Sequence, residues 1–339
     1  MAYKRINKSV KDIKEKNNQN GKYKNNSKVF VRERKMSFTD YVWYLIMQKG
    51  RTTSMELDEY LKNKNGTYKI SISKHAFSKQ RQYLKPQIFI DIYKDYLEDF
   101  YHNYPEENKT YKGYNVCAID GSLFEIPNTK ELREEYKTQK NSSGDRLRKV
   151  LDKEVKEELK KQKTIKIRMS KVVLDTGEIE YLLTNITEDI IAPEEMKETY
   201  FKRWQIEIGY DILKNKLHLE NFTGRTKITI EQDFYAQIYT FNVLQDIKNT
   251  NTRRIQEKQK NKNLKYKYKV NINILAGWLK NILIAVMFTE DEEEQEEIYN
   301  IIVEKAEKNL VAIIPNRTNI RKPYTSRRNK YKINLRNNM

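Results

Sequence analysis

The chain has 339 residues, and its 66 Lys and Arg against 47 Asp and Glu leave a formal charge of +19. That length can bury a core, as one large domain and a smaller one, while a single cysteine excludes a disulfide-stapled scaffold and a Cys-rich zinc module. Apolar runs such as 42–47 and 282–288 fall far short of the roughly 20 residues that cross a bilayer, and no apolar segment follows the basic N-terminus to make a secretory leader, so a cytosolic globular protein with a polyanionic partner is expected.

Residues 1–35 are polar, rich in Asn and Lys, and carry a net charge of +9. They read as a disordered basic arm. Residues 248–269 and 317–339 each add +8, which leaves −6 for the rest of the chain. Two readings stand for these segments. They neutralise phosphates, with interleaved tyrosines packing nearby, or they are solvated Asn/Lys-rich extensions.

From Ser37 the pattern becomes helical. Phe38, Val42, Leu45 and Ile46 recur at helical spacing. Further helices are predicted over 54–62, from Ser73 to Leu84, and from Pro86 to about Tyr101. Residues 36–105 thus form a small helical unit. Within it Lys74-His75-Ala76-Phe77-Ser78-Lys79-Gln80-Arg81 is either a groove-entering helix or an ordinary amphipathic one.

Residues 114–122 read as a short apolar strand ending in Asp120-Gly121-Ser122. Asp120 at that strand end is a candidate metal ligand, or a turn residue. Cys117 is expected to be a small buried apolar side chain. The charged stretch 131–163 is predicted helical. Strands over 164–174 and 178–185 flank the hairpin turn Asp175-Thr176-Gly177. Pro193, followed by Glu194 and Glu195, starts a helix that should run to about Leu217. The acidic run 290–297 reads as the solvated start of another helix.

The helix after Pro193 carries Tyr200, Arg203, Glu207 and Lys214. At about 100° per residue these fall near 0°, 300°, 340° and 320°, on one stripe. A carboxylate there can bind Mg²⁺, and Arg and Lys can hold a phosphodiester. The same stripe also suits a surface helix with stabilising charge pairs. His75, His102 and His218 match no metal spacing, and no Gly-rich phosphate loop supports nucleotide hydrolysis.

The spacing Tyr200-x₂-Arg203-x₃-Glu207-x₆-Lys214 resembles the Y-(2)-R-(3)-E-(6)-K signature of DDE transposases of the insertion-sequence-4 type. Arg203-Trp204-Gln205-Ile206-Glu207, the following Asn221-Phe222-Thr223-Gly224 and the Asp120 strand are similar to that family too, and the resemblance covers about residues 30–330. It implies an α+β fold in which a small helical DNA-binding domain precedes a ribonuclease-H-like catalytic domain with an incomplete sheet. The domains would be a basic tail (1–35), the helical unit (36–105), the catalytic domain (111–315) and a basic C-terminal tail (316–339). It further implies two Mg²⁺ or Mn²⁺ ions held by Asp, Asp and Glu for in-line phosphoryl displacement. Asp120 and Glu207 would be catalytic metal ligands, with Tyr200, Arg203 and Lys214 gripping DNA. The partners implied are double-stranded DNA and transposon terminal inverted repeats, with no membrane and with a homodimer on DNA. The location implied is the bacterial cytoplasm, at the nucleoid.

The family's second Asp has no counterpart. Asp145 and Asp152 lie in charged sequence, Asp175 serves its hairpin turn, and Asp189 stands just before the signature helix. An internal deletion with its seam near 144–148 accounts for this, so the copy is expected to lack strand-transfer activity. A non-catalytic protein recognising transposon ends, or a decayed product, stand as alternatives.

Overall fold

The computed structural model describes residues 2–19, 21–26, 28–31, 34–108, 110–115, 117–118, 121–141, 144–148, 168–173, 177, 179–184, 186–289 and 291–314. In chain order the elements begin with α1 (Ala2–Lys16), α2 (Phe38–Met47), α3 (Thr53–Asn65), α4 (Lys74–Arg81), α5 (Gln87–Asn103) and α6 (Lys130–Glu135). Next come the strands β1 (Lys137–Asn141), β2 (Gly144–Arg148), β3 (Arg168–Val173) and β4 (Ile179–Thr184). They are followed by α7 (Met196–Lys202), α8 (Trp204–Asp211) and the long α9 (Lys227–Gln259). The last elements are β5 (Lys267–Val270), α10 (Ile272–Phe288), α11 (Glu292–Glu307) and β6 (Leu310–Ile313). Two compact units result, one of residues 1–104 with 235–339 and one of residues 105–234.

The first unit is helical because its caps and apolar stripes agree. Ser37 and Asp40 form a capping box at the start of α2, the Asp40 carboxylate accepting from the Ser37 N–H at 2.6 Å. Gly66, at φ 70°, ends α3 in the left-handed conformation that glycine adopts without strain. Ser73 accepts from the Ala76 N–H to cap α4. Asp291 caps α11 by accepting from the Glu294 N–H at 2.9 Å, with Glu292, Glu293 and Glu294 in the first turn. Buried aromatics fill the core between these helices. Tyr41 stacks on Phe77 with centroids 5.0 Å apart, and Tyr239 on α9 meets both Trp43 and Tyr96 edge to face.

The N-terminal segment corrects the disordered-arm expectation. Residues 2–16 form α1, with Ile6, Val10 and Ile13 buried. Arg5 donates to both oxygens of Asp246, from Nε at 2.8 Å and from Nη2 at 2.7 Å, and Tyr96 donates to the same carboxylate at 2.6 Å. Lys8 pairs with Asp99 and Lys16 with Asp95. Composition misled because it averages over the segment. A narrow apolar stripe and partners far along the chain supply what mean hydropathy lacks. The basic stretch from 248 is likewise no extension, since it holds the end of α9 and then β5. Residues 315–339 lie outside the described residues.

In the second unit, residues 137–141 and 144–148 form the antiparallel pair β1–β2 rather than helix. The helix α6 has already ended at Glu135. The proposed seam coincides with β2. Residues 149–167 lie outside the described residues. The expected strand over 114–122 is also corrected. Its described residues are not in a strand, and Cys117 is exposed. Tyr111 and Tyr114 instead close a tight turn in which Lys112 and Gly113 take φ values of 50° and 82°. Val116, Ile119 and Asp120 lie outside the described residues.

Around the predicted hairpin turn, β3 and β4 pair antiparallel, and Gly177 has φ 83°. Val172 packs inward with Ile191 and Met196. Met169, Val173, Ile179, Tyr181 and Leu183 are all exposed on the other face. The fold is therefore a mixture of helix and sheet. Among the described residues the sheets are three separate two-stranded ladders.

Candidate functional site

The helix predicted from Pro193 to Leu217 is present as a nearly unbroken run. A 3₁₀ turn over Pro193–Glu195 leads into α7, and α8 passes into a π-helical turn over Ile212–Lys216. Arg203, the junction between α7 and α8, keeps helical angles at φ −57° and ψ −34°. The Glu195 carboxylate accepts from the Ala192 N–H at 3.0 Å and from Lys112 Nζ at 2.5 Å, which fixes the entry to the run. Those bonds hold the Glu195 carboxyl below the ordinary carboxylate range, Lys112 contributing most.

Three of the four signature residues meet on this run. The Arg203 guanidinium donates from Nη1 to Glu207 at 3.3 Å and from Nη2 to the Tyr200 hydroxyl at 3.5 Å. It also lies over the Tyr200 and Trp204 rings, 5.1 and 5.3 Å from their centroids. The Tyr200 hydroxyl foremost, and then the Glu207 charge, hold Arg203 above its ordinary pKa. Glu207 is 40% exposed. The neighbouring Phe201, Trp204 and Ile208 side chains are exposed as well.

Lys214 does not join them. Its Nζ donates to the Leu123 carbonyl at 2.5 Å, lies 4.7 Å from the Phe124 ring centroid and stands 4.0 Å from Glu220. The π-helical turn rotates it away from the angle that a regular α-helix predicts. Sequence spacing does not point to Leu123, Phe124 or Glu220, because nothing local links a residue near 123 to one near 214. Phe124 also packs edge to face on Tyr210 and Phe234. The Glu125 N–H donates to Glu220 at 3.0 Å. The signature run is thus tied to the segment that follows Asp120.

Asp120 itself lies outside the described residues, as do Asp152 and Asp175. Asp189 is exposed in the turn between β4 and Pro193. Asp211 accepts from Asn215 at 2.6 Å. Among the described residues no three His, Cys, Asp or Glu side chains gather into a metal-binding group. Among the described residues Glu207 is held by the Arg203 guanidinium rather than grouped with other carboxylates.

Past the run, Asn221-Phe222-Thr223-Gly224 leads into α9. Thr223 donates from its N–H and hydroxyl to Asp233 at 2.8 and 2.9 Å. A Cβ on Gly224 would stand 2.1 Å from Thr229 Oγ1, so this position excludes any side chain. Phe222 packs against the buried pair Leu132 and Ile230.

In the helical unit, α4 buries Phe77 and Arg81 and exposes Lys74, His75 and Lys79. A short basic helix of this kind can present its side chains to a DNA groove.

No helix among the described residues is long and apolar enough to cross a membrane. Neither curated proteins nor solved structures give a match to this chain. Residues 128–243, about a third of the chain, match the family model described as the transposase DDE domain, and that match supports a DDE transposase.

Proposed function

We propose that this chain is a DDE transposase of the insertion-sequence-4 type that binds the terminal inverted repeats of its element but is impaired in DNA cleavage and strand transfer. The observation that carries the reading is the grouping of Tyr200, Arg203 and Glu207 on one helical run within the matched segment. The Arg203 fork suits a phosphate, and Tyr200 can bond the same phosphate or stack on a base. The Lys74 face of α4 supplies a second element for end recognition. Asp120 and Glu207 are the proposed ligands for Mg²⁺ or Mn²⁺, with Asp189, just before the signature helix, the least poor substitute for the missing second Asp. The fold proposed for the catalytic segment is a ribonuclease-H-like arrangement with missing strands.

Impairment draws support from exposed apolar surface. Met169, Val173, Ile179, Tyr181 and Leu183 on one face of β3–β4, and Phe201, Trp204 and Ile208 on the signature run, are uncovered. Five or more large apolar side chains on one small face is unusual for a finished domain. Loss of sheet strands near 144–148 would leave such faces open.

The test uses the full chain and duplexes bearing the inverted repeats that flank its gene. Retarded complexes without nicking in Mg²⁺ or Mn²⁺ are expected. Nicking or joining that is abolished by Glu207→Ala would overturn the impaired reading. Equal affinity for repeat and random duplex would overturn end recognition and favour a decayed product.

A further inference from the structure

Five lysines, Lys260, Lys262, Lys265, Lys267 and Lys269, are exposed within ten residues that contain no acid. Their neighbours on α9 are engaged differently, since Arg254 and Lys258 both pair with Glu307. Among the described residues none of the five lysines forms an ion pair. Lys267 and Lys269 share the outer face of β5, where they sit across from Ile313 and Val311. Tyr268 and Val270 take the inner face, and Val270 is buried. Lys265 precedes the strand in a bend, its Nζ 5.4 Å from the Tyr266 ring centroid. Lys267 and Lys269 are about 6.7 Å apart, twice the strand rise. The sequence after Ile314 adds eight more Lys and Arg with no acid.

We propose that Lys265, Lys267 and Lys269 form a surface that holds the phosphate backbone of duplex DNA without reading its sequence, separate from the residues assigned to end recognition. Lys267 and Lys269 on one strand face, with Lys265 just before them, present single charges that complement a linear polyanion. Lysine is a point charge without the fork that reads guanine edges, so the row positions a duplex rather than selects one. A single-strand surface would add exposed rings for stacking, yet Tyr268 faces inward beside Ala312. A bilayer surface would need a broad apolar face, and beside the lysines this ladder exposes just Val311, Ile313 and the following Ile314.

The experiment measures affinity of the full chain for a random-sequence duplex across a salt series. The triple variant Lys265→Gln, Lys267→Gln, Lys269→Gln should make the slope of log K against log[salt] shallower by about 2.7, at roughly 0.9 per lost phosphate contact. The matched Lys→Arg triple should keep the original slope. A scattered triple, Lys4→Gln, Lys14→Gln, Lys130→Gln, should change it little. Equal slopes for parent and β5 variant, or equal losses in both Gln triples, would overturn the proposal. So would loss of binding to phosphatidylserine vesicles with the DNA slope intact. Random duplex keeps this outcome independent of whether transposon ends are recognised.

Discussion

Lys214 Nζ donates to the Leu123 carbonyl at 2.5 Å, joining residues 91 positions apart in the chain. This bond and the Phe124 ring beneath the same ammonium fasten the signature run to the segment after Asp120. A charge-assisted bond of this kind contributes about 1.5–3 kcal/mol. Lys214→Met should therefore destabilise the second unit by about that much. Amide exchange should quicken over residues 121–126 before it does in α4, and equal protection in both forms would refute the fastening role.

Arg203 lies half exposed beside Glu207, so their pair adds little to stability. Arg203→Lys removes the fork that spans Tyr200 and Glu207 but keeps the charge. Thermal unfolding should stay within a degree or two of the parent, while affinity for terminal-repeat DNA falls about tenfold. A variant that binds as tightly as the parent would remove Arg203 from the DNA contact.

Arg5 and Asp246 are both buried, with side-chain exposures of 0% and 4%. Removing one member leaves the other charge without its partner, at a cost of about 3–5 kcal/mol. Arg5→Leu should lower the urea midpoint accordingly, and Arg5→Leu with Asp246→Leu should recover part of the loss. An unchanged midpoint in the single variant would show that α1 does not rest on this pair.

Lys280 sits fully buried, and burial brings its pKa down to about 8 despite the nearby Glu56 carboxylate. Its ammonium donates to the Gln48 carbonyl. Glu56 accepts from the Lys49 and Arg51 N–H groups, and burial raises its own pKa. Lys49 is the other charge that acts on the ammonium, and it opposes protonation. Between pH 8 and about 10.5 the unfolded chain holds a proton at Lys280 that the folded chain has lost. Stability contributed by this group should therefore rise with pH across that window, by up to about 3 kcal/mol. The difference between parent and Lys280→Met unfolding free energies should slope over that range. A flat difference would exclude the depressed lysine.

Gly224 has room for no Cβ, because Thr229 Oγ1 stands 2.1 Å from where one would be. Gly224→Ala should disturb the Thr226–Thr229 bonds at the start of α9. It should cost about 1–3 kcal/mol, as overpacking does. Calorimetry checks this, and a gain in stability would mean that Thr229 moves freely.

Much was legible locally. Caps at Ser37, Ser73 and Asp291 act on N–H groups three residues on, so the starts of three helices in the first unit follow from their own sequence. Gly177 marks the β3–β4 turn for the same reason of reach. The grouping of Tyr200, Arg203 and Glu207 follows from helical spacing alone. What failed was whatever needed a distant partner. The strand predicted around Cys117 is not formed by its described residues, and the β1–β2 pair stands where a helix is predicted.

The sequence by itself determined the caps, the hairpin turn and the stripe of phenol, guanidinium and carboxylate, because each depends on residues within two helical turns or one tight turn. Only the tertiary structure decided that α1 is buried, that Lys214 leaves the stripe for Leu123, and that β5 turns its lysines outward. Arg5 finds Asp246 across 241 positions, and no local rule selects that carboxylate. Such pairings are set by where the packed chain brings two groups together, which depends on every element between them.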